Sequence, residues 1–305
     1  MKVLISTTTF ADQDKTPLLL LRRNNLSYIF NSYKRAFTEE EVASALSKNS
    51  CVGLIAGTEP LTRNVLENAK SLKVISRVGA GLENIDMNNA KKLGIRVYNT
   101  PLVLIDSVAE LTIGLIICCL RRISSLDKDM HNKTWKKEMG LLFKGKILGI
   151  VGFGKIGKRV AQLAKAFGAK VIFCDKRTMR RGSTTQVSLD KLLRVSDIIS
   201  LHVSSKEELI NKDKIFRMKE GVILINTSRG HVVSEDALYE ALSSGRISSA
   251  GLDVYCKEPY NGKLLELNNV VCIPHVGSYA KEARVAMEIE AAENLIKGLK
   301  EEGLL

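Results

Sequence analysis

The run Gly152-Phe153-Gly154-Lys155-Ile156-Gly157 constrains this chain more than any other feature, because it follows an apolar strand segment, Lys146 to Val151, and opens an amphipathic helical one. The apolar positions of that helix are Ile156, Val160, Leu163, Ala164 and Phe167; Gly168 stops it before a second strand, Lys170 to Cys174. In such a turn the first glycine permits the tight bend, the second lets backbone approach a pyrophosphate, and the third packs the helix against the strand. The phosphates then sit at the helix N-terminus, where unpaired N–H groups and the helix dipole favour an anion. Asp175 ends the second strand, where a carboxylate accepts both hydroxyls of an adenosine ribose. Gly152, Gly154, Lys155, Ile156, Gly157 and Asp175 are therefore the candidate dinucleotide-binding residues.

The rest of the chain extends this pattern in both directions. The 305 residues suit two domains, and 45% hydrophobic with 26% charged residues is the balance of an ordered globular chain. Residues 1 to 98 alternate short Val- and Ile-rich runs (Lys2 to Ser6, Ser27 to Phe30, Val52 to Ile55, Lys73 to Ser76, Arg96 to Tyr98) with amphipathic stretches, as in a parallel sheet covered by helices. Thr38-x-x-Glu41 reads as a capping box, and Gly94 closes a helix beginning near Asp86. After Asn99-Thr100-Pro101, Ser107-x-x-Glu110 reads as the capping box of a helix that is apolar on nearly every side through Leu120. Such a helix is buried, or would expose a large patch, which predicts a homodimer joined through the second domain. Further strands are expected at Asp197 to Leu201, Val222 to Ile225, Ala250 to Asp253 and Val270 to Ile273, making six in the second sheet, before an amphipathic helix near Lys281 to Leu299.

No apolar run reaches the ~20 residues of a membrane span, and Met1 to Ser6 is too short for a secretory signal. The six cysteines contain no C-x-x-C pair and mostly lie in apolar segments, which fits a reducing, cytoplasmic compartment and no metal site. The net charge of +13 comes from short basic clusters (Arg22-Arg23, Lys91-Lys92, Arg121-Arg122, Lys136-Lys137, Lys176-Arg177, Arg180-Arg181) spread along the chain with little aromatic interleaving, which argues against a nucleic-acid surface. A second glycine turn, Gly79-Ala80-Gly81-Leu82-Glu83-Asn84, has Asn at its third glycine position. It is either a strand-to-helix turn needing small residues or a nest of backbone N–H groups holding a small anion.

Five segments in order, Arg77-Val-Gly-Ala-Gly-Leu-Glu-Asn-Ile-Asp86, Gly152 to Asp175, Ile225-Asn-Thr-Ser-Arg-Gly230, Gly251-Leu-Asp-Val-Tyr-Cys-Lys-Glu-Pro259 and Pro274-His275, resemble the signatures of NAD-dependent 2-hydroxyacid dehydrogenases specific for D isomers. The resemblance implies two doubly wound parallel-sheet α/β domains. A flavodoxin-like substrate domain is built from residues 1–99 and the closing segment 277–305, and a Rossmann-type cofactor domain is inserted over 100–276. It also implies NAD as cofactor, with His202, Thr227 and Asp253 lining its pocket. The catalytic set would be Arg229, Glu258 and His275, and the Val78, Gly79, Ala80, Gly81 turn would hold the substrate carboxylate. Arg77 resembles the arginine that binds the substrate phosphate in many D-3-phosphoglycerate dehydrogenases, so D-3-phosphoglycerate, at the entry to serine biosynthesis, is the leading expected substrate. Glyoxylate or hydroxypyruvate reduction is the alternative, and an NAD(H)-sensing corepressor the non-enzymatic one.

The residue types suit the chemistry by themselves. Hydride addition to a 2-keto acid leaves negative charge on the carbonyl oxygen, which must gain a proton. His275 can supply it, Glu258 would favour the imidazolium and orient the ring, and the planar Arg229 would bind the carboxylate and polarise the carbonyl. Each alone has an ordinary reading as a loop or surface residue. All three follow strands of the second sheet, at the ends where open α/β sheets bind ligands. His202 departs from the family pattern in being followed by Ser204-Ser205, and Lys176-Arg177 beside Asp175 could soften discrimination against a 2′-phosphate.

Overall fold

The computed structural model describes residues 1–178, 184–205 and 207–305, so the Arg180-Arg181 cluster lies outside the described residues. The chain divides into two compact units, Met1–Leu104 with Ser278–Leu305, and Ile105–Gly277. The division falls after Leu104 and Gly277, a few residues beyond the expected positions. The reason lies in Thr100, which is fully buried and bonded to Gly79, so the Asn99 to Pro101 segment is anchored in the first unit.

The first unit contains β1 (Lys2–Ile5), α1 (Thr16–Arg23), β2 (Ser27–Phe30), α2 (Glu39–Lys48), β3 (Gly53–Ala56), α3 (Arg63–Asn68), β4 (Val74–Arg77), α4 (Met87–Lys92) and β5 (Arg96–Asn99). Its five strands are parallel in the order β2-β1-β3-β4-β5. The central strands are apolar because both faces are covered: Leu4, Leu54 and Ile75 pack under α2 and α3 with Val42, Leu46 and Val65. The Thr38 box forms in full, with Glu41 N–H donating to Thr38 Oγ1 at 3.3 Å and Thr38 N–H to Glu41 Oε2 at 2.8 Å.

The second unit contains α5 (Ile105–Arg121), α6 (Ile123–His131), β6 (Ile147–Val151), α7 (Lys155–Ala166), β7 (Lys170–Cys174), β8 (Thr185–Gln186), α8 (Leu189–Val195), β9 (Ile198–Leu201), α9 (Lys212–Arg217), β10 (Val222–Asn226), α10 (Glu235–Ser243), β11 (Ile247–Leu252) and β12 (Val270–Cys272). Its parallel sheet has the order β12-β11-β10-β9-β6-β7-β8, which reverses between β6 and β9. The seventh strand, β8, is two polar residues long and carries no hydrophobic period by which it could be read.

Two expectations about α5 are corrected. The helix begins at Ile105, so Ser107 lies inside its first turn and its hydroxyl donates to Gly277 O at 2.6 Å instead of capping. Its apolar residues, among them Ala109, Ile113, Ile116 and Leu120, are buried within their own unit beside Leu148, Ile150 and Ile225. The exposed apolar surface comes later, at Trp135 (79% exposed), Met139 (93%) and Leu142 (72%).

The closing helix, α11 (Lys281–Glu301), completes the first unit against β3, β4 and β5. Gly298 allows the approach, since a Cβ there would press on Val74 and Tyr98. Near its start, buried Glu288 accepts from Arg284 Nε at 2.6 Å and from Ala11 N–H at 2.8 Å, while Arg284 Nη2 donates to Thr7 Oγ1 at 2.6 Å. This pair ties the loop after β1 to α11. Removing one partner of a buried pair strands the other charge. Arg284→Ala is therefore expected to destabilise the chain by about 3 kcal/mol in urea unfolding, and Arg284→Met with Glu288→Leu is expected to recover most of that loss.

Candidate active site

The glycine turn leaves β6 at the point where the sheet order reverses, the crevice in which open α/β sheets take ligands. Gly152 has φ +92°, and a Cβ there would strike the carbonyl of His202 at the end of β9. A Cβ on Gly157 would strike the carbonyl of Gly152, whereas Gly154 faces open space. A cradle with one glycine open and two packed, leading into Lys155 and Ile156 at the first turn of α7, fits a pyrophosphate approaching the backbone. Asp175 sits beside it: Oδ2 accepts from Phe153 N–H at 2.7 Å and Oδ1 from Arg177 N–H at 2.9 Å. The expected ribose acceptor thus also braces the turn. Gln186 of β8 fixes the following bend, its Nε2 donating to Asp175 O at 3.1 Å and Arg177 O at 3.0 Å.

On the same edge of the sheet, His202 Nε2 lies 2.8 Å from Ser200 Oγ, and burial pushes its pKa down to about 4, so its ring is neutral. Thr227 Oγ1 lies 3.0 Å from Thr112 Oγ1 of α5. Asp253 is 1% exposed; its carboxylate accepts from Val276 N–H at 2.6 Å and Gly277 N–H at 2.9 Å. Burial raises its pKa against the pull of those N–H groups and of His275. Asp253 therefore clamps the loop that carries His275, a role invisible in sequence because its partners are backbone atoms.

The structure brings Arg229, Glu258 and His275 together. His275 Nδ1 lies 2.7 Å from Glu258 Oε2, and Glu258 Oε1 accepts from Tyr255 N–H at 3.0 Å. The hydrogen bond to Glu258 raises the His275 pKa against the opposing effect of burial. Burial would raise Glu258, but His275, Tyr255 N–H and the charge of Arg229 together hold it below the usual carboxylate range. His275 has φ +51°, a left-handed conformation that non-glycine residues adopt where surroundings impose it. Gly230 joins the other two loops, since a Cβ on it would overlap the backbone of Tyr255 and Cys256. Glu235, at the start of α10, accepts from Cys256 N–H at 2.7 Å and steadies the Glu258 loop.

In the first unit, the 78–81 turn is narrower as an anion nest than expected. Val78 N–H donates to Ala56 O at 2.9 Å and Gly79 N–H to Thr100 Oγ1 at 2.8 Å. Among the described residues, the N–H groups of Ala80 and Gly81 are those left in this turn without a protein partner. Thr100 N–H returns a bond to Gly79 O at 3.0 Å and Asn99 Nδ2 donates to Ala80 O at 2.7 Å, so the turn is held on both sides. Arg77 donates to the carbonyl of Val78, and its guanidinium folds back over Gly79.

Residues 113–277 match the family model for the NAD binding domain of D-isomer specific 2-hydroxyacid dehydrogenases. The chain belongs to this family and its cofactor is NAD. It is 42% identical over 256 residues to a hydroxypyruvate reductase of Thermotoga maritima, covering 81% of this chain and 84% of that protein. It is 43% identical over 263 residues to a glyoxylate reductase of Thermococcus litoralis, covering 80% and 79%. A D-3-phosphoglycerate dehydrogenase of Archaeoglobus fulgidus is 36% identical over 92% of this chain, which spans 55% of that protein. The crystal structure of the TT0316 protein from Thermus thermophilus superposes with a TM-score of 0.91 at 34% identity, covering 99% of this chain and 97% of that one. The two-sheet α/β fold expected from sequence is thereby established. The higher identity to reductases removes the special closeness to phosphoglycerate dehydrogenases that the sequence motifs suggested.

Asp175→Ala, which removes the brace and the expected ribose acceptor, is expected to weaken NADH binding by roughly 10-fold, on the order of one charge-assisted hydrogen bond, and to narrow its preference over NADPH. Titration of NADH fluorescence against both cofactors measures the two effects.

Proposed function

We propose that this protein is an NADH-dependent reductase of small 2-keto acids, converting glyoxylate to glycolate and hydroxypyruvate to D-glycerate. The observation that carries the reading is the 2.7 Å His275–Glu258 pair with the charge of Arg229 acting on both, at the strand ends of a unit that binds NAD. Glyoxylate and hydroxypyruvate take precedence over the phosphorylated substrate because the reductases are the more similar relatives.

Bound NADH supplies the hydride that adds to the keto carbon. Arg229 binds the substrate carboxylate and draws electron density toward the carbonyl oxygen, which a planar, permanently charged group does without itself giving up a proton. With Nδ1 held by Glu258, His275 has Nε2 available to deliver the proton that the carbonyl oxygen requires. Glu258 favours the protonated ring and orients it, and Asp253 fixes the backbone just beyond it. In the first unit, the remaining N–H groups of Ala80 and Gly81 form a small nest suited to an anion.

Steady-state NADH oxidation with glyoxylate, hydroxypyruvate, phosphohydroxypyruvate and pyruvate tests the reading; tight NADH binding with no turnover on any of them would point to a dinucleotide sensor. His275→Ala is expected to lower kcat by about 10²- to 10⁴-fold with NADH affinity nearly intact. Reduction needs the imidazolium, so activity falls as pH rises through the His275 pKa. Because Glu258 raises that pKa, Glu258→Gln should move the alkaline fall-off to lower pH.

The proposal includes a homodimer, now resting on the 134–142 segment instead of α5. Trp135, Met139 and Leu142 are three strongly exposed apolar side chains within one short segment, which a subunit contact would cover. A cytoplasmic location also belongs to the proposal, on the ground that all six cysteines are free thiols. Sedimentation at micromolar concentration should give a dimer, and Trp135→Glu with Met139→Glu should give monomers.

A further inference from the structure

The short strand β8 has no apolar stripe to hold it in the sheet, and polar contacts place it instead. Just before it, Thr184 Oγ1 accepts from Lys165 Nζ of α7 at 2.6 Å. Thr185 pairs with Ile172 and Gln186 with Phe173 of β7, and Val187 N–H, just beyond, donates to Phe173 O at 2.8 Å. Pairing that short adds little to a sheet. Its register matters for what the Gln186 side chain reaches.

That side chain runs along β7 past its end. The amide nitrogen carries two protons, and they meet two carbonyls, Asp175 O at 3.1 Å and Arg177 O at 3.0 Å. These carbonyls bracket one bend. Gln186 closes it from one side, and Asp175 Oδ1, accepting from Arg177 N–H at 2.9 Å, closes it from the other. Asp175 Oδ2 is fixed separately by Phe153 N–H at 2.7 Å, and the Phe153 ring stacks on Phe173 with centroids 3.8 Å apart. A carboxylate offers about four lone-pair sites. With one N–H on each oxygen, Asp175 keeps both oxygens open to a ribose diol, in an orientation set by backbone donors. The donor from Phe153 belongs to the stacked glycine turn, whereas the donor from Arg177 stays in place only as long as the bend does.

The bend also carries exposed Lys176 and Arg177, the cations a 2′-phosphate would seek. Three consecutive residues thus hold one group that favours NADH and two that favour NADPH, and the conformation of the bend decides between them. We propose that Gln186 is a positioning residue for cofactor choice: by holding both carbonyls of the bend it fixes Asp175 as the ribose acceptor and keeps Lys176 and Arg177 from taking up a 2′-phosphate. The inference rests on Asp175 as the ribose acceptor and is independent of which keto acid is reduced.

The test is Gln186→Met, unbranched and of similar length but without the amide, with NADH and NADPH binding to the full chain followed by fluorescence titration. The Kd for NADH should rise about 5-fold, as for the loss of one or two neutral hydrogen bonds, while that for NADPH stays the same or falls. In an Asp175→Ala background, Gln186→Met should leave the ratio of the two constants unchanged, because the residue through which it acts is gone. A brace with only a structural role would weaken both cofactors equally; that result, or a wild-type ratio, overturns the proposal, and so does the same shift in ratio when Asp175 is already Ala. Wild-type NADH affinity in Asp175→Ala alone removes the acceptor and the proposal with it. If Gln186→Met does not fold, Gln186→Asn, whose amide is one methylene too short to span both carbonyls, is judged by the same outcomes.

Discussion

Parallel strand pairing is the constraint on which everything else in this protein depends. Within each sheet every described strand runs in the same direction, so the loops at the carboxyl ends of a sheet emerge along one edge, however far apart they lie in sequence. In the second unit that edge collects the turns after β6, β7, β9, β10, β11 and β12, and with them the glycine cradle, Asp175, His202, Arg229, Glu258 and His275. Strands buried on both faces fix these exits firmly, because a slipped register would take apolar side chains out of two helix layers at once.

The loops themselves are irregular and hold their shape through side chains that bond backbone. The Asp253 carboxylate accepts from Val276 and Gly277, that of Asp175 from Phe153 and Arg177, and that of Glu235 from Cys256, while the Thr100 hydroxyl accepts from Gly79. A histidine in a left-handed conformation and a glutamate on a loop make a 2.7 Å contact because each is gripped from behind. Pre-positioning of this kind lowers the reorganisation needed when charge develops on a substrate oxygen.

What the sequence revealed and what it hid divide along the same line. Long periodic segments and the glycine turn were readable because their cause is local: apolar spacing, a capping box at Thr38, a conformation only glycine adopts easily. The Arg229, Glu258 and His275 set was legible through its motifs. Side chains whose partners are distant in sequence were not: nothing near Glu59 or Thr100 announces Ser6 or Gly79. Ser107 misled because a serine three residues before a glutamate suits a cap, while tertiary structure gave its hydroxyl a carbonyl from the other end of the unit. The third position of the second glycine turn, Asn84, looked like a defect in a motif, whereas its amide ties two loops together.

The discontinuity of the first unit bears on how the chain is made. Residues up to Leu104 leave the ribosome with all five strands of their sheet, but the face of β3, β4 and β5 that α11 covers waits until Ile105–Gly277 has been synthesised. At about 5–20 residues per second that delay is on the order of 10–35 s. During it Gly53, Val74 and Tyr98 lack the helix whose Leu295 and Gly298 pack on them. The nascent protein thus completes its cofactor-binding unit first and seals the earlier one last, so a stalled or truncated chain presents one uncovered face of a parallel sheet to chaperones and proteases.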